Sequence, residues 1–255
     1  MSFSDAELDR YARQLVLREI GGPGQQRLKA ARVLIVGAGG LGAPAALYLA
    51  AAGAGCIGLV DPDTVDLSNL QRQVIYAEAD VGLPKAAAAA QALGRLNSQI
   101  EAVPLAMAVT AANAAETVRG FDLVLDGTDD FSVRFAVNAA CVAEGKPLIS
   151  GALGRWSGQV GVFAAGVRRG VSPCYQCLVP ETPPEAETCA RVGVAGALAG
   201  VVGSMMALEA IKWITGAGET LDGRLLIYDA LQAETRTVRL VPDPACPVCG
   251  PAAIR

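Results

Sequence analysis

Blocks of apolar residues alternate along the chain with stretches at helical spacing, which predicts strands and helices in turn. From Asp5 to Ile20, residues Leu8, Tyr11, Ala12, Leu15 and Val16 form one helical stripe, with Arg10 and Arg13 set apart from it. Gly21-Gly22-Pro23-Gly24 ends that helix, and Gln25 to Ala31 leads into an unbroken apolar run, Val33 to Val36. After a glycine turn, an Ala-rich helix reaches a second apolar run, Cys56 to Val60. A helix over Ala86 to Leu96, a buried strand over Phe121 to Leu125 and a helix carrying Arg134, Asn138 and Cys141 follow. Pro147 to Ser150 and Val160 to Phe163 read as later strands, and Leu225 to Tyr228 with Thr235 to Leu240 as a final β-hairpin. Between them, Val192 to Leu208 is nearly free of polar side chains, with Gly193, Gly196, Gly200 and Gly203 spaced by three or four. It is short and weakly hydrophobic for a membrane span, and Glu209 and Lys212 follow it, so a buried core or subunit-interface helix is expected.

The stretch from Arg32 to Asp61 organises the rest. Gly37-Ala38-Gly39-Gly40-Leu41-Gly42 lies between strand and helix, and Asp61 closes the next strand about 19 residues past Gly42, where the dinucleotide fingerprint places an acid on a ribose hydroxyl. Gly37 permits the turn, Gly39 lets a phosphate approach the backbone, and Gly42 lets helix and strand pack closely. Backbone N–H groups at the helix start then face an anion. A glycine-rich turn without a ligand is the plain alternative; the strand, the helix and the downstream acid together favour a nucleotide.

Composition narrows the chemistry. The 255 residues, 52% apolar and 18% charged, are enough for a globular chain with a sizeable core, as one large domain or two small ones. A net charge of −4 disfavours a nucleic-acid partner. The chain has no histidine, which excludes a Ser-His-Asp triad, histidine metal ligands and a histidine base for hydride transfer. Its N-terminus is polar and mixed in charge, without the apolar core and cleavage site of a signal peptide, so a cytosolic location is expected.

Two loops carry candidate chemistry. Pro62 to Gln73 is polar and too long for a tight turn, and long loops at the carboxyl ends of parallel strands are where ligands bind. Lys85 then opens a helix, where a cation opposes the dipole unless an anion shares the site; an ordinary solvated lysine is the alternative. At the end of the Phe121 to Leu125 strand, Asp126, Asp129 and Asp130 crowd together, so water or a cation must sit among them, and Mg²⁺ with nucleotide phosphates fits. Asp130 as a helix N-cap and Asp126 as a turn former would leave Asp129 free.

Of seven cysteines, four form the pairs Cys174-x-x-Cys177 and Cys246-x-x-Cys249. Each pair presents two thiolates, and tetrahedral Zn²⁺ takes four, so a structural zinc site tying the loop from Ser172 to Thr188 to the C-terminal tail is expected. A redox CxxC is the rival, disfavoured by the proline-rich flanks. Cys56 and Cys141 lie in apolar patterns and read as inert core thiols.

Taken together, Arg10-Tyr11-x-Arg13-Gln14, the Gly37 to Gly42 turn, Asp61-x-Asp63-x-Val65, Ser68-Asn69-Leu70-x-Arg72-Gln73, Gly82-x-x-Lys85, Asp126-x-Thr128-Asp129, both CxxC pairs and Ala207-x-Glu209-Ala210-x-Lys212 form an ordered set. With it the chain resembles the ThiF/MoeB/HesA family, bacterial relatives of the ubiquitin-activating enzymes, over essentially its whole length. The resemblance implies one domain over 1–255: an N-terminal helical arm (1–30), a Rossmann-like nucleotide-binding half (31–150) and a carrier-binding half with the crossover loop and zinc knuckles (151–255). The implied fold is an open, mostly parallel α/β sheet with antiparallel strands in the C-terminal half. The implied activity is adenylation by Mg-ATP of the C-terminal glycine carboxylate of a small β-grasp sulfur-carrier protein ending in Gly-Gly, for thiamine or molybdopterin synthesis.

The resemblance also implies roles for residues. The nucleotide set is Gly37, Gly39, Gly40, Gly42, Asp61, Asp63, the Ser68-Asn69-Leu70-Gln71-Arg72 loop, Lys85, Asp129 and Asp130. Within it Asp61 lies on the ribose, Asn69, Arg72 and Lys85 on phosphates, and Asp129 on Mg²⁺. Arg13, Arg72, Lys85 and Asp129 are the expected catalytic groups, Arg13 reaching the site of the other subunit of a homodimer. Cys189 aligns with a cysteine that some members link to the carrier. No rhodanese-like domain follows Arg255, so the sulfur donor is expected to act in trans. The rival readings are an NAD(P)-dependent oxidoreductase, which leaves the Ser68 to Arg72 loop and Lys85 without a role, and a non-catalytic zinc scaffold, which does the same for Asp129 and Lys85.

Overall fold

A computed structural model describes residues 3–182 and 193–251 of the chain. Its frame is one eight-stranded sheet in the order β3-β2-β1-β4-β5-β6-β7-β8. β1 (Arg32–Val36), β2 (Cys56–Val60), β3 (Glu101–Leu105), β4 (Leu123–Asp126) and β5 (Leu148–Leu153) run parallel. β6 (Ser157–Phe163), β7 (Arg224–Asp229) and β8 (Glu234–Arg239) continue the sheet antiparallel. The chain winds outward from β1 to β3, then returns to lay β4 on the other side of β1. That reversal opens a crevice at the carboxyl ends of β1 and β4, the place where open α/β sheets bind ligands.

The continuous apolar runs are the strands buried on both faces. Val33, Ile35, Ile57, Leu59, Leu123 and Leu125 point into one layer, with α3 (Gly42–Ala52), α4 (Lys85–Leu96) and α8 (Gly196–Thr215). Leu34, Val36, Val60 and Val124 point into the other, with α5 (Ala114–Arg119), α6 (Phe131–Ala143) and the short α7 (Tyr175–Leu178). Helix α8 is long and apolar enough to cross a membrane by length and composition. Instead it packs against α2 (Gly21–Ala30), α3, β5 and β6, and Lys212 pairs with Glu209 on its last turns.

The N-terminal arm departs from the sequence reading. α1 spans Asp5–Leu15, capped by Ser4 and Glu7 in a reciprocal box, and stops short of Ile20. The glycines after it do not break the helical arm; Gly21–Ala30 is a second helix, α2. Gly21 at φ +53° turns the chain, and Pro23 sits in the first turn of the new helix, where its missing N–H costs nothing. Burial overrides the low helix propensity: Leu28 is wholly buried, Gln25 donates to the Ala52 carbonyl at 2.9 Å, and Arg27 reaches the carbonyl of Thr215. β3 and α5, which the pattern did not predict, complete the parallel half.

Candidate active site

The loops at the switch point enclose a cleft of about 740 Å³. Its floor is the glycine turn. Gly37 has φ +88°, open to glycine and strained for other residues. A Cβ on Gly42 would overlap the Gly37 carbonyl, which accounts for the close approach of helix and strand. Gly39 and Gly40 line the cleft, and the Arg72 side chain lies over Gly40.

Asp61, just past β2, is 5% exposed. Its carboxylate accepts the backbone N–H groups of Ala38 and Asp63, each at 2.9 Å. Burial raises its pKa, and those N–H groups and Lys85 oppose the rise. The anion that Lys85 requires at its helix start is Asp63, 3.0 Å from the ammonium. Asn69 and Arg72 also reach the cleft wall, whereas Ser68, Leu70 and Gln71 do not line it. The Ser68 carbonyl accepts from Arg72 Nη1 at 3.2 Å, Leu70 packs on the core, and Gln71 lies against Gly196 of α8. Gln73, 4% exposed on the same wall, has an amide oxygen with no hydrogen-bond partner among the described residues.

In the acid cluster the capping alternative holds: Asp130 is the N-cap, Asp126 turns the chain by accepting the Thr128 N–H at 3.1 Å, and Asp129 is left over. The cation beside Asp126 belongs to the protein: Arg134 from α6 lies 3.6 Å away, with both side chains almost wholly buried. Asp126 also accepts from Ser150 Oγ at 3.0 Å and Thr128 Oγ at 2.8 Å, which leaves it no free face for a metal. Asp130 caps α6 through the N–H of Ser132 at 2.7 Å. Asp129 lines the cleft with no hydrogen bond or ion pair among the described residues. The sequence reading missed the far walls: Met107 to Thr110 after β3, Leu153 at the end of β5, Tyr175 and Val194. Tyr175 directly follows a candidate metal ligand, which was the one available hint.

Arg13 is exposed and does not line this cleft. Its helix packs at the opposite end of α3, where Gln14 donates to the Ala52 carbonyl at 3.1 Å. Eleven residues of α3 separate that end from the glycine turn, roughly 15 Å at the helical rise.

Away from the cleft, Cys174, Cys177, Cys246 and Cys249 place their sulfurs within 4.8 Å of one another. Cys174 to Cys246 is 3.6 Å, Cys177 to Cys249 3.4 Å and Cys174 to Cys177 4.0 Å. Sulfurs at the corners of a zinc tetrahedron stand about 3.8 Å apart, so the four fit that ion. None of the four is in a disulfide, and burial pushes Cys174 up to about 11. Cys56 and Cys141 are buried, and desolvation raises both. Cys189 lies outside the described residues.

A switch-point cleft with a glycine floor, a buried acid after β2 and the cations Arg72, Lys85 and Arg134 on its wall defines an α/β nucleotide-binding protein. A model of the ThiF family matches residues 11–248. The chain is 48% identical over 253 residues to a protein named sulfur carrier protein adenylyltransferase from Thermus thermophilus, covering 98% of this chain and 93% of that one. It is 49% identical over 253 residues to the adenylyltransferase and sulfurtransferase MOCS3 of Bos taurus, covering 98% of this chain and 54% of that one. The probable adenylyltransferase/sulfurtransferase MoeZ of Mycobacterium tuberculosis is 48% identical, and 63% of its length is covered by 96% of this chain. Among solved structures, E. coli MccB with ATP superposes at a TM-score of 0.83 with 25% identity, over 97% of this chain and 75% of that one. The chain belongs to the ThiF family, and it is an adenylyltransferase.

Proposed function

We propose that this adenylyltransferase transfers AMP from Mg-ATP to the C-terminal glycine carboxylate of a small β-grasp sulfur-carrier protein, releasing pyrophosphate. The observation that carries this reading is the convergence on one cleft of the glycine turn, Asp61, Arg72, Lys85 and Asp129, the last without a hydrogen bond or ion pair among the described residues. A carrier substrate is supported by the name of the Thermus relative. The amide oxygen of Gln73, which has no hydrogen-bond partner among the described residues, adds a buried polar atom that a ligand would satisfy.

Asp61 takes the ribose, the backbone of Gly39 and Gly40 approaches the phosphates, and Asn69, Arg72 and Lys85 hold phosphate oxygens. A carboxylate oxygen of the carrier attacks the α-phosphorus; the new C–O–P linkage forms as the bond to the pyrophosphate oxygen breaks. The nucleophile is already ionised at neutral pH and the leaving group needs no proton, so a chain without histidine suffices. The work is electrostatic, done by cations fixed around a phosphorus centre whose charge redistributes. Asp129, an unpaired oxygen donor, suits Mg²⁺, which neutralises pyrophosphate charge when bound.

The enzyme acts as a homodimer in the cytosol, with Arg13 completing the partner's site and sulfur supplied by another protein. Exposed apolar side chains on α3 (Tyr48) and α8 (Val201, Leu208), helices that pack together, support a subunit contact. The test is ATP–pyrophosphate exchange with thiamine-type and molybdopterin-type carriers in turn. Exchange should require Mg²⁺ and an intact Gly-Gly end, and the preferred carrier assigns the pathway. Exchange without any carrier overturns the reading.

A further inference from the structure

Helix α6, capped by Asp130, carries Arg134 and Asn138 four residues apart, Arg134 lining the cleft and Asn138 facing the cysteine cluster. Arg134 donates to the Gly151 carbonyl at 2.7 Å, to Ser150 Oγ at 3.1 Å and to the carbonyl of Thr128, the residue before Asp129. Its guanidinium lies over the Tyr175 ring, 5.8 Å from the centroid. Asn138, 1% exposed, accepts the Tyr175 N–H on Oδ1 at 2.8 Å and turns Nδ2 toward Cys174 Sγ at 3.6 Å. Tyr175 is itself a cleft wall, wedged edge-on against Phe163 with ring centroids 5.5 Å apart. One amide therefore spans a metal-ligand sulfur and the backbone of a cleft residue.

We propose that Asn138 and Tyr175 are positioning residues that couple metal occupancy of the four-cysteine site to nucleotide binding in the cleft. This rests on the adenylation reading only in that a nucleotide occupies the cleft. A metal would hold Cys174 Sγ in place, 3.6 Å from the Asn138 amide nitrogen that faces it. With Nδ2 so engaged, Oδ1 holds the Tyr175 N–H and keeps the ring over Arg134. Arg134 in turn fixes the Thr128 carbonyl and hence the Asp129 loop. Without the metal, Cys174 and the following Tyr175 lose their anchor, and the same contacts cost ordering when nucleotide binds. The coupling is reciprocal, so bound nucleotide retains the metal.

The rate of zinc release from the loaded protein to a chromogenic chelator, measured with and without a saturating non-hydrolysable Mg-ATP analogue, reads this directly. Nucleotide binding is followed separately by calorimetry. In wild type, nucleotide should slow release by about tenfold, within the usual range of coupling between sites. Tyr175→Phe keeps the ring and should keep that ratio, whereas Tyr175→Leu and Asn138→Leu should bring it to about one. A purely structural role would change release equally with and without nucleotide. Release unaffected by bound nucleotide in wild type, or an unchanged ratio in Tyr175→Leu, overturns the coupling alone. Failure of any adenine nucleotide to bind overturns the adenylation reading and this inference with it.

Discussion

Lys85 and Asp63 pair at 3.0 Å with unequal burial: the lysine side chain is 9% exposed and the carboxylate 66%. The ammonium is held in the cleft wall, while its partner stays at the rim where water solvates it. An incoming phosphate can then take over the cation at little cost, since pairs with one solvated member contribute only about 0–1 kcal/mol. Lys85→Ala should therefore lower pyrophosphate exchange by about 10²–10³-fold, the usual loss of one preorganised charge, with a nearly unchanged thermal midpoint. Exchange assays beside thermal unfolding check this; a collapse of stability would make the ammonium a structural group.

Asp126 and Asp129 stand three residues apart and should fail differently. Asp126 is wholly buried against Arg134, so Asp126→Asn leaves a buried guanidinium without its counter-charge. Urea unfolding should show a loss of about 3 kcal/mol or more, the usual range for a broken buried pair. Asp129→Ala removes a side chain with no hydrogen bond or ion pair among the described residues, and stability should move by less than about 0.5 kcal/mol. Exchange activity should nonetheless vanish. Equal destabilisation by both variants would contradict this division.

These outcomes mark where the sequence was legible. β1, β2 and β4 are central strands covered on both faces, and such strands write themselves as unbroken apolar runs. β3 lies at the sheet edge, with Glu101 and Pro104 exposed, and leaves no such run. α2 is invisible to propensity because its glycines are outweighed by contacts to Ala52 and Thr215, which only the fold brings near. The glycine turn, Asp61 and Lys85 could be read because they are close in sequence to the strand ends that present them. Arg134 could not be assigned to Asp126, since Ser150 and Gly151, which complete its hydrogen bonds, arrive through the β4-β5 pairing. The four cysteines were legible from pair spacing, although 72 residues separate Cys174 from Cys246.

Metal analysis should find about one zinc per chain and no labile sulfide, because four thiolates fill a tetrahedral shell. Cys246 is 3% exposed in a small cluster with Val142, Ala165 and Cys174. Cys246→Ser should lower zinc content and the thermal midpoint together, with saturating-nucleotide exchange reduced far less than in Asp129→Ala. Iron in the purified protein, or a Cys174 to Cys177 disulfide in its active form, would refute a zinc site.

Arg13 offers a test of quaternary structure through chemistry. It is exposed on α1, beside the end of α3 that lies roughly 15 Å from the glycine turn, and so stands away from its own cleft. In a twofold dimer each site would join one subunit's Asp129 to the other's Arg13. Arg13→Ala and Asp129→Ala homodimers should both be nearly inactive. Mixed in equal amounts and allowed to exchange, about half the dimers become hybrids. Each hybrid holds one site with both defects and one with neither, so activity should return to about a quarter of wild type. Absence of recovery, with subunit exchange demonstrated by mass-tagged protomers, would place Arg13 in its own subunit's site or outside the chemistry.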